Sequence, residues 1–94
     1  MRRVQETRPY KKDIKRAGRG IYKRVVDEEL PEIVDALACD IPLPYSYHDH
    51  PLHGNLEGSR ECHVKPDFLL IYTYEGDDIL RLDRLGSHSE LFGL

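Results

Sequence analysis

Four of the five histidines of this 94-residue chain lie in the run HDHPLHGNLEGSRECHVKPDF, residues 48 to 68, and the fifth, His88, follows in LGSHSELF. Imidazoles gathered in this way suit metal binding, nucleophilic catalysis beside a cysteine, or proton transfer near neutral pH. Metal fits the spacing poorly. His48-x-His50-x-x-His53 offers nitrogens with Cys62 or His63 beyond, but no Cys-x-x-Cys or His-Glu-x-x-His is present, and strand neighbours such as Cys62 and His63 cannot converge on one ion. No metal and no cofactor are expected. A catalytic thiol needs exposure and a positive neighbourhood, whereas Cys62 has the alternation of a core residue. A merely polar loop accounts for any single histidine, and its weakness is the company. His50, His63, Asp67, Arg84 and His88 all gather at the edge and open face of one sheet if the strands pair as consecutive hairpins.

Such a set suits RNA cleavage without metal. Attack of a ribose 2′-OH on the adjacent phosphate needs a base for that proton, an acid for the departing 5′-oxygen, and a cation to meet charge on the phosphate oxygens. Histidine serves as base or acid, arginine holds phosphate bidentately, and Asp67 can accept a proton or act on a neighbouring histidine through its charge. Phe68 or Phe92 offers a ring on which an unpaired base can stack, although Phe68 fits a core position at least as well.

The elements that must position these groups are legible in outline. Tyr10, Ile14 and Ala17 recur at helical spacing after Pro9, and Gly18 and Gly20 interrupt the pattern. Ile21, Val25, Leu30, Ile33, Val34 and Leu37 resume it as far as Cys39, with Pro31 expected to kink or split the helix. RRVQET is a weak strand candidate. Residues 41 to 58, with three prolines and two glycines, read as an ordered but irregular connection. Three strands follow, SRECHV, DFLLIYTY and DILRLDRL, the last two joined by a hairpin turn at EGD, and Ser87 can cap one short helical turn.

The predicted fold is α+β: an N-terminal strand and a helical hairpin packed on one face of a small antiparallel sheet, forming one domain over residues 1 to 94. Period-two alternation puts Cys62 and Val64 on the helix-covered face and His63 on the open one. The same alternation groups Arg84 with Leu80 and Leu82, so Arg84 has to lie at the strand's end, where twist or a bulge redirects it.

Composition fits an ordinary globular protein, at 39% hydrophobic and 33% charged residues, and Phe68 to Tyr72, the longest apolar run, is too short to cross a bilayer. The start, MRRVQETRPYKK, has no apolar stretch of a secretory signal, so a cytoplasmic location is expected, with Cys39 and Cys62 as free thiols. The net charge of −3 conceals a division: residues 1 to 24 carry ten Lys/Arg against two acids, and residues 25 to 94 carry four against fifteen. The basic segment is either a solvated helix face or an electrostatic footprint.

The pieces DHPL, G-x-x-x-G-x-R-E-C-H-V-K-P-D, LLIY and R-L-G-S-H-S-E-L-F, in this order and spacing over about half the chain, resemble the YafQ branch of the RelE/ParE toxin superfamily. The resemblance implies a ribosome-dependent endoribonuclease that cuts mRNA in the A site, and a partner antitoxin, a small dimeric DNA-binding protein whose tail wraps the toxin. It places the active-site positions on His50, His63, Asp67, Arg84, His88 and Phe92. Phe68 stands where the best-known member has tryptophan, and His48 and His53 match no functional position and are left to the loop. His50 and His88 are the expected proton-transfer pair, with Asp67 as helper and His63 and Arg84 on the phosphate. Two alternatives stay open: a ParE-like toxin that acts on DNA gyrase without nuclease chemistry, and a degenerate toxin that only binds its antitoxin.

Overall fold

The computed structural model describes residues 1–93. Its elements are β1 (Arg3–Glu6), α1 (Arg8–Ala17), a π-helical turn (Val25–Glu29), α2 (Leu30–Ala38), β2 (His50–Pro51), β3 (Arg60–Lys65), β4 (Phe68–Glu75), β5 (Ile79–Gly86) and α3 (His88–Phe92), with 3₁₀ turns at Tyr45–Tyr47 and Gly54–Leu56. Helix α1 starts where Thr7 accepts the Tyr10 amide at 3.1 Å and Pro9 supplies a pre-set φ. Pro31 is the second residue of α2, directly after the π-helical turn, which is closed by the Leu30 N–H on the Val25 carbonyl, so the helix changes from π to α form at the proline.

The sheet order is β1-β5-β4-β3-β2. Strands β3 to β5 pair antiparallel, as expected, but β1 runs parallel to β5, with Arg3 opposite Ile79 and Glu6 opposite Leu82, so the sheet is mixed. The connection expected to be irregular contributes the short, unexpected β2, which pairs antiparallel with β3, His50 opposite Glu61. Gly76, at φ 59°, makes the β4–β5 turn that a Cβ would strain.

One face of the sheet carries the core. Tyr10, Leu30, Ile33 and Leu37 from the helices pack on Cys62, Val64, Phe68, Leu70, Tyr72, Leu80, Leu82 and Leu85. Each fully buried leucine contributes about 1.5–3 kcal/mol by its removal from water. Glu61 and His63 alternate away from this core, opposite Ile71 and Leu69 of β4. The β4–β5 pairing steps from Ile71↔Arg84 to Tyr72↔Leu82, leaving Asp83 as a bulge. That extra residue reverses the alternation, and Arg84 parts from Leu80 and Leu82 as anticipated.

Candidate functional site

His63, near the end of β3, is the hub of the open face. Its ring centroid lies 5.7 Å from His48, 5.9 Å from His50 and 5.8 Å from His88. Each neighbour comes from a different piece of backbone. His50 is carried by β2, beside Glu61 of β3. His48 ends the Tyr45–Tyr47 turn at φ 48°, a left-handed position that aims the chain back toward the sheet. His88 opens α3 directly after β5.

Helix α3 is only five residues long, so capping holds it. Ser87 Oγ accepts the Glu90 amide at 3.1 Å, and Glu90 Oε1 accepts the Ser87 amide at 2.9 Å. Glu90 Oε2 also pairs with Arg16 Nε at 3.0 Å, tying the helix to α1. Beneath it, a Cβ on Gly86 would stand 2.9 Å from Glu90 Oε1 and 3.2 Å from Leu91 Cδ2, so a larger residue there would push on the side chains that hold α3.

Asp67, exposed in the β3–β4 turn, accepts two hydrogen bonds from His88 at one oxygen: the backbone N–H at 2.9 Å and ring Nδ1 at 2.7 Å. Those two bonds lower the Asp67 carboxyl pKa, and the carboxylate fixes Nδ1 as the protonated nitrogen of His88. His50 is oriented by the same logic, because its Nδ1 faces the His48 carbonyl oxygen, which can only accept. In both rings Nε2 is therefore the nitrogen free to take or give a proton.

Asp49, between the two loop histidines, accepts from the Tyr72 hydroxyl and from Arg60 Nε at 3.3 Å. Burial, and next the bond to Asp49, raise the Tyr72 phenol pKa far above its ordinary value, so this anchor stays a donor. Glu61, 5% exposed, places Oε1 3.2 Å from His63 Nε2.

Of the residues singled out from sequence, the structure brings together His50, His63, Asp67, His88 and Phe92, the last with its ring 6.5 Å from His88. Two do not join them. Phe68 is 2% exposed and stacks on Tyr22 at 4.4 Å, because its parity on β4 turns it into the core, so it offers no face to a base. Arg84 hydrogen-bonds to α1 and not to a histidine: Asp13, itself buried, takes its Nε at 2.7 Å and its Nη2 at 3.2 Å. His48, left to the loop by sequence, enters the cluster, whereas His53 stays exposed outside it. Glu61 was missed, although its i,i+2 relation to His63 on a strand put both on one face. Cys62 is fully buried, and burial pushes its thiol up to about 12, so it is no nucleophile at neutral pH.

The donor set also bears on metal. One ligand atom each from Glu61, His63 and His88 can lie within 4.8 Å of one another, a convergence that linear spacing did not reveal. Among the described residues, no helix is long and apolar enough to cross a membrane.

A mixed sheet covered on one face by helices, with imidazoles and carboxylates converging on the other, defines a small α+β protein with a cluster of ionisable side chains on its open face. The chain belongs to the YafQ family, whose model, described as the bacterial toxin of type II toxin–antitoxin systems, matches residues 2–93. It is 39% identical to the mRNA interferase toxin YafQ of Escherichia coli K12, covering 98% of this chain and 97% of that one. YafQ in the E. coli DinJ–YafQ complex superposes with a TM-score of 0.81 at 38% identity, over 99% of this chain and all (100%) of the other. A copper-bound mutant toxin from Helicobacter pylori gives 0.87 at 38% identity, over 98% and 100%.

Proposed function

We propose that this toxin is a ribosome-dependent endoribonuclease that cleaves mRNA in the A site by acid–base catalysis. The observation that carries the reading is the matched orientation of His50 and His88, each with Nδ1 committed to an acceptor and Nε2 open beside His63. One Nε2, unprotonated, removes the 2′-OH proton as that oxygen attacks the adjacent phosphorus. The other, protonated, donates to the 5′-oxygen as the P–O bond breaks, leaving a 2′,3′-cyclic phosphate and a 5′-hydroxyl. Asp67 keeps the His88 ring in the productive tautomer. His63 sits between them, where its ring meets the scissile phosphate, with Glu61 Oε1 holding it at Nε2. Arg84 contacts the RNA backbone through Nη1, since Asp13 occupies Nε and Nη2. Phe92, 36% exposed, supplies a stacking face. The partner is a dimeric DNA-binding antitoxin that blocks this face or the basic α1; the DinJ–YafQ complex supports an antitoxin partner.

The test loads ribosomes with a defined mRNA, adds purified protein stripped of metal, and maps cuts by primer extension beside a naked mRNA control. Cleavage at an A-site codon on the ribosome alone is the expected result, lost in His88→Ala. No cleavage by folded protein moves the reading to a gyrase-type or degenerate toxin.

A second reading rests on the convergence of Glu61, His63 and His88. Two imidazoles and a carboxylate suit copper or zinc, and the H. pylori structure is of a copper-bound toxin. A bound ion would supply a Lewis acid, and it would also withdraw His88 from proton transfer and His63 from the phosphate, so the metal is expected to inhibit. Titration with Cu²⁺ should show one site that His63→Ala removes, with cleavage falling as the site fills. Cleavage that instead requires the ion would overturn the metal-free mechanism.

A further inference from the structure

Tyr45 is the most exposed aromatic ring near the histidines, at 89% exposure. A single exposed tyrosine on a loop is ordinary, but three features distinguish this one. The first is that it is held in place. Pro44 precedes it, the Tyr47 amide reaches the Pro44 carbonyl at 3.0 Å, and the His48 amide reaches the Tyr45 carbonyl at 3.0 Å, closing a compact turn.

The second is that its ring begins a row. Successive centroids run from Tyr45 to His48 at 5.5 Å, His48 to His63 at 5.7 Å, His63 to His88 at 5.8 Å and His88 to Phe92 at 6.5 Å. The interplanar angles are 50°, 59°, 64° and 40°, so none of these pairs is stacked face to face. Tyr22 and Phe68 show the contrast: at 17° and 4.4 Å they stack face to face in the interior and offer nothing outward. The third is a cleft of about 450 Å³ that Tyr45 lines together with Pro44, His48, Asp49 and His50.

We propose that Tyr45 is a base-stacking platform for single-stranded RNA on one side of the scissile phosphate, as Phe92 is on the other, with His48 bridging Tyr45 to the catalytic histidines. The inference rests on the ribonuclease reading and deepens it. Histidines at the centre of the row meet the phosphate, and exposed rings at its two ends take the unstacked flanking bases. Stacking on an aromatic ring is tolerant of base identity, so Tyr45 adds affinity and register in place of a strict sequence preference. It also accounts for His48, which the catalytic scheme does not use.

The experiment uses the full chain and ribosomes programmed with an mRNA whose cut has first been mapped. The cleaved nucleotide is replaced by its 2′-deoxy form to prevent turnover, and 2-aminopurine is placed at either flank in separate preparations. Wild type should quench the fluorophore at both flanks. Tyr45→Ala should lose the quench at one flank only, Phe92→Ala at the other, and Tyr45→Phe should restore it. On cleavable mRNA, Tyr45→Ala should raise KM about tenfold with little change in kcat, the signature of lost uniform binding. If Tyr45→Ala matches wild type in quench and in KM while wild type still cuts, the platform is overturned and the nuclease reading stands. The same silence on RNA with weakened antitoxin binding overturns it too and reassigns Tyr45 to the antitoxin surface. If wild type makes no cut that can be mapped, both readings fall.

Discussion

Asp67 Oδ1 accepts both the backbone N–H and the ring Nδ1 of His88, at 2.9 and 2.7 Å, so one carboxylate oxygen fixes the start of α3 and the tautomer of its first residue. Asp67→Asn keeps size and fold but can present its NH₂ to the imidazole, favouring the wrong tautomer. Cleavage by this variant should fall about 10²-fold or more in kcat with antitoxin binding intact. Single-turnover cleavage on programmed ribosomes measures it, and an unchanged rate would remove Asp67 from the mechanism.

The same contact has a pH signature. The folded-state pKa of Asp67 is lowered by the two His88 bonds, so its contribution to stability is present above the ordinary value of 3.8 and is lost as pH falls through the lowered value. The Tm difference between wild type and Asp67→Asn should accordingly hold at mildly acid pH and close below 3.8. A gap that persists under stronger acid would show that the carboxylate's charge is not its source.

Tyr72 anchors the histidine loop from inside the core, through its hydroxyl on Asp49. Tyr72→Phe removes that bond without opening a cavity and should cost about 1 kcal/mol of stability. Its larger effect should be on activity, because Asp49 lies between His48 and His50. Denaturant midpoints and cleavage rates measured on the same protein separate the two, and a loss in rate no greater than the loss in folded fraction would refute the positional role.

Buried Asp13 joins α1 to β5 by accepting from Arg84, from Arg16 at 3.2 Å and from the Leu85 amide at 3.0 Å. Asp13→Ala leaves the Leu85 N–H without its partner and the Arg84 guanidinium without its counter-charge, while Arg16 keeps Glu90, which should lower stability by about 3 kcal/mol. Asp13→Asn should cost less. Urea unfolding with an unchanged m-value would report it.

The two thiols should behave differently. Cys39 is exposed, while Cys62 is buried with its pKa pushed to about 12, so it stays a thiol across the neutral and mildly alkaline range. Iodoacetamide at about pH 8, near the ordinary thiol pKa, should label one cysteine in the native protein and two after unfolding, and Cys62→Ala should still cut mRNA. Rapid native labelling of Cys62, or its requirement for cleavage, would revive nucleophilic catalysis.

Local pattern was enough for the helices, the three long strands, the Ser87 cap and the face on which His63 stands, because the helical and strand periods and capping chemistry act between near neighbours. It was enough to require that Arg84 be redirected, though not to locate the bulge at Asp83. Other features came from contacts between segments far apart in the chain. β1, near the start of the chain, lies parallel to β5, near its end. The left-handed His48 turns back onto His63, the buried Asp13 claims Arg84, and Glu61 joins a cluster with a helix that starts at His88. No local rule orders these, because their partners meet only after the core has closed. Phe68 illustrates the division: its type suited either a base platform or the core, and only the packing of Tyr22 against it decided.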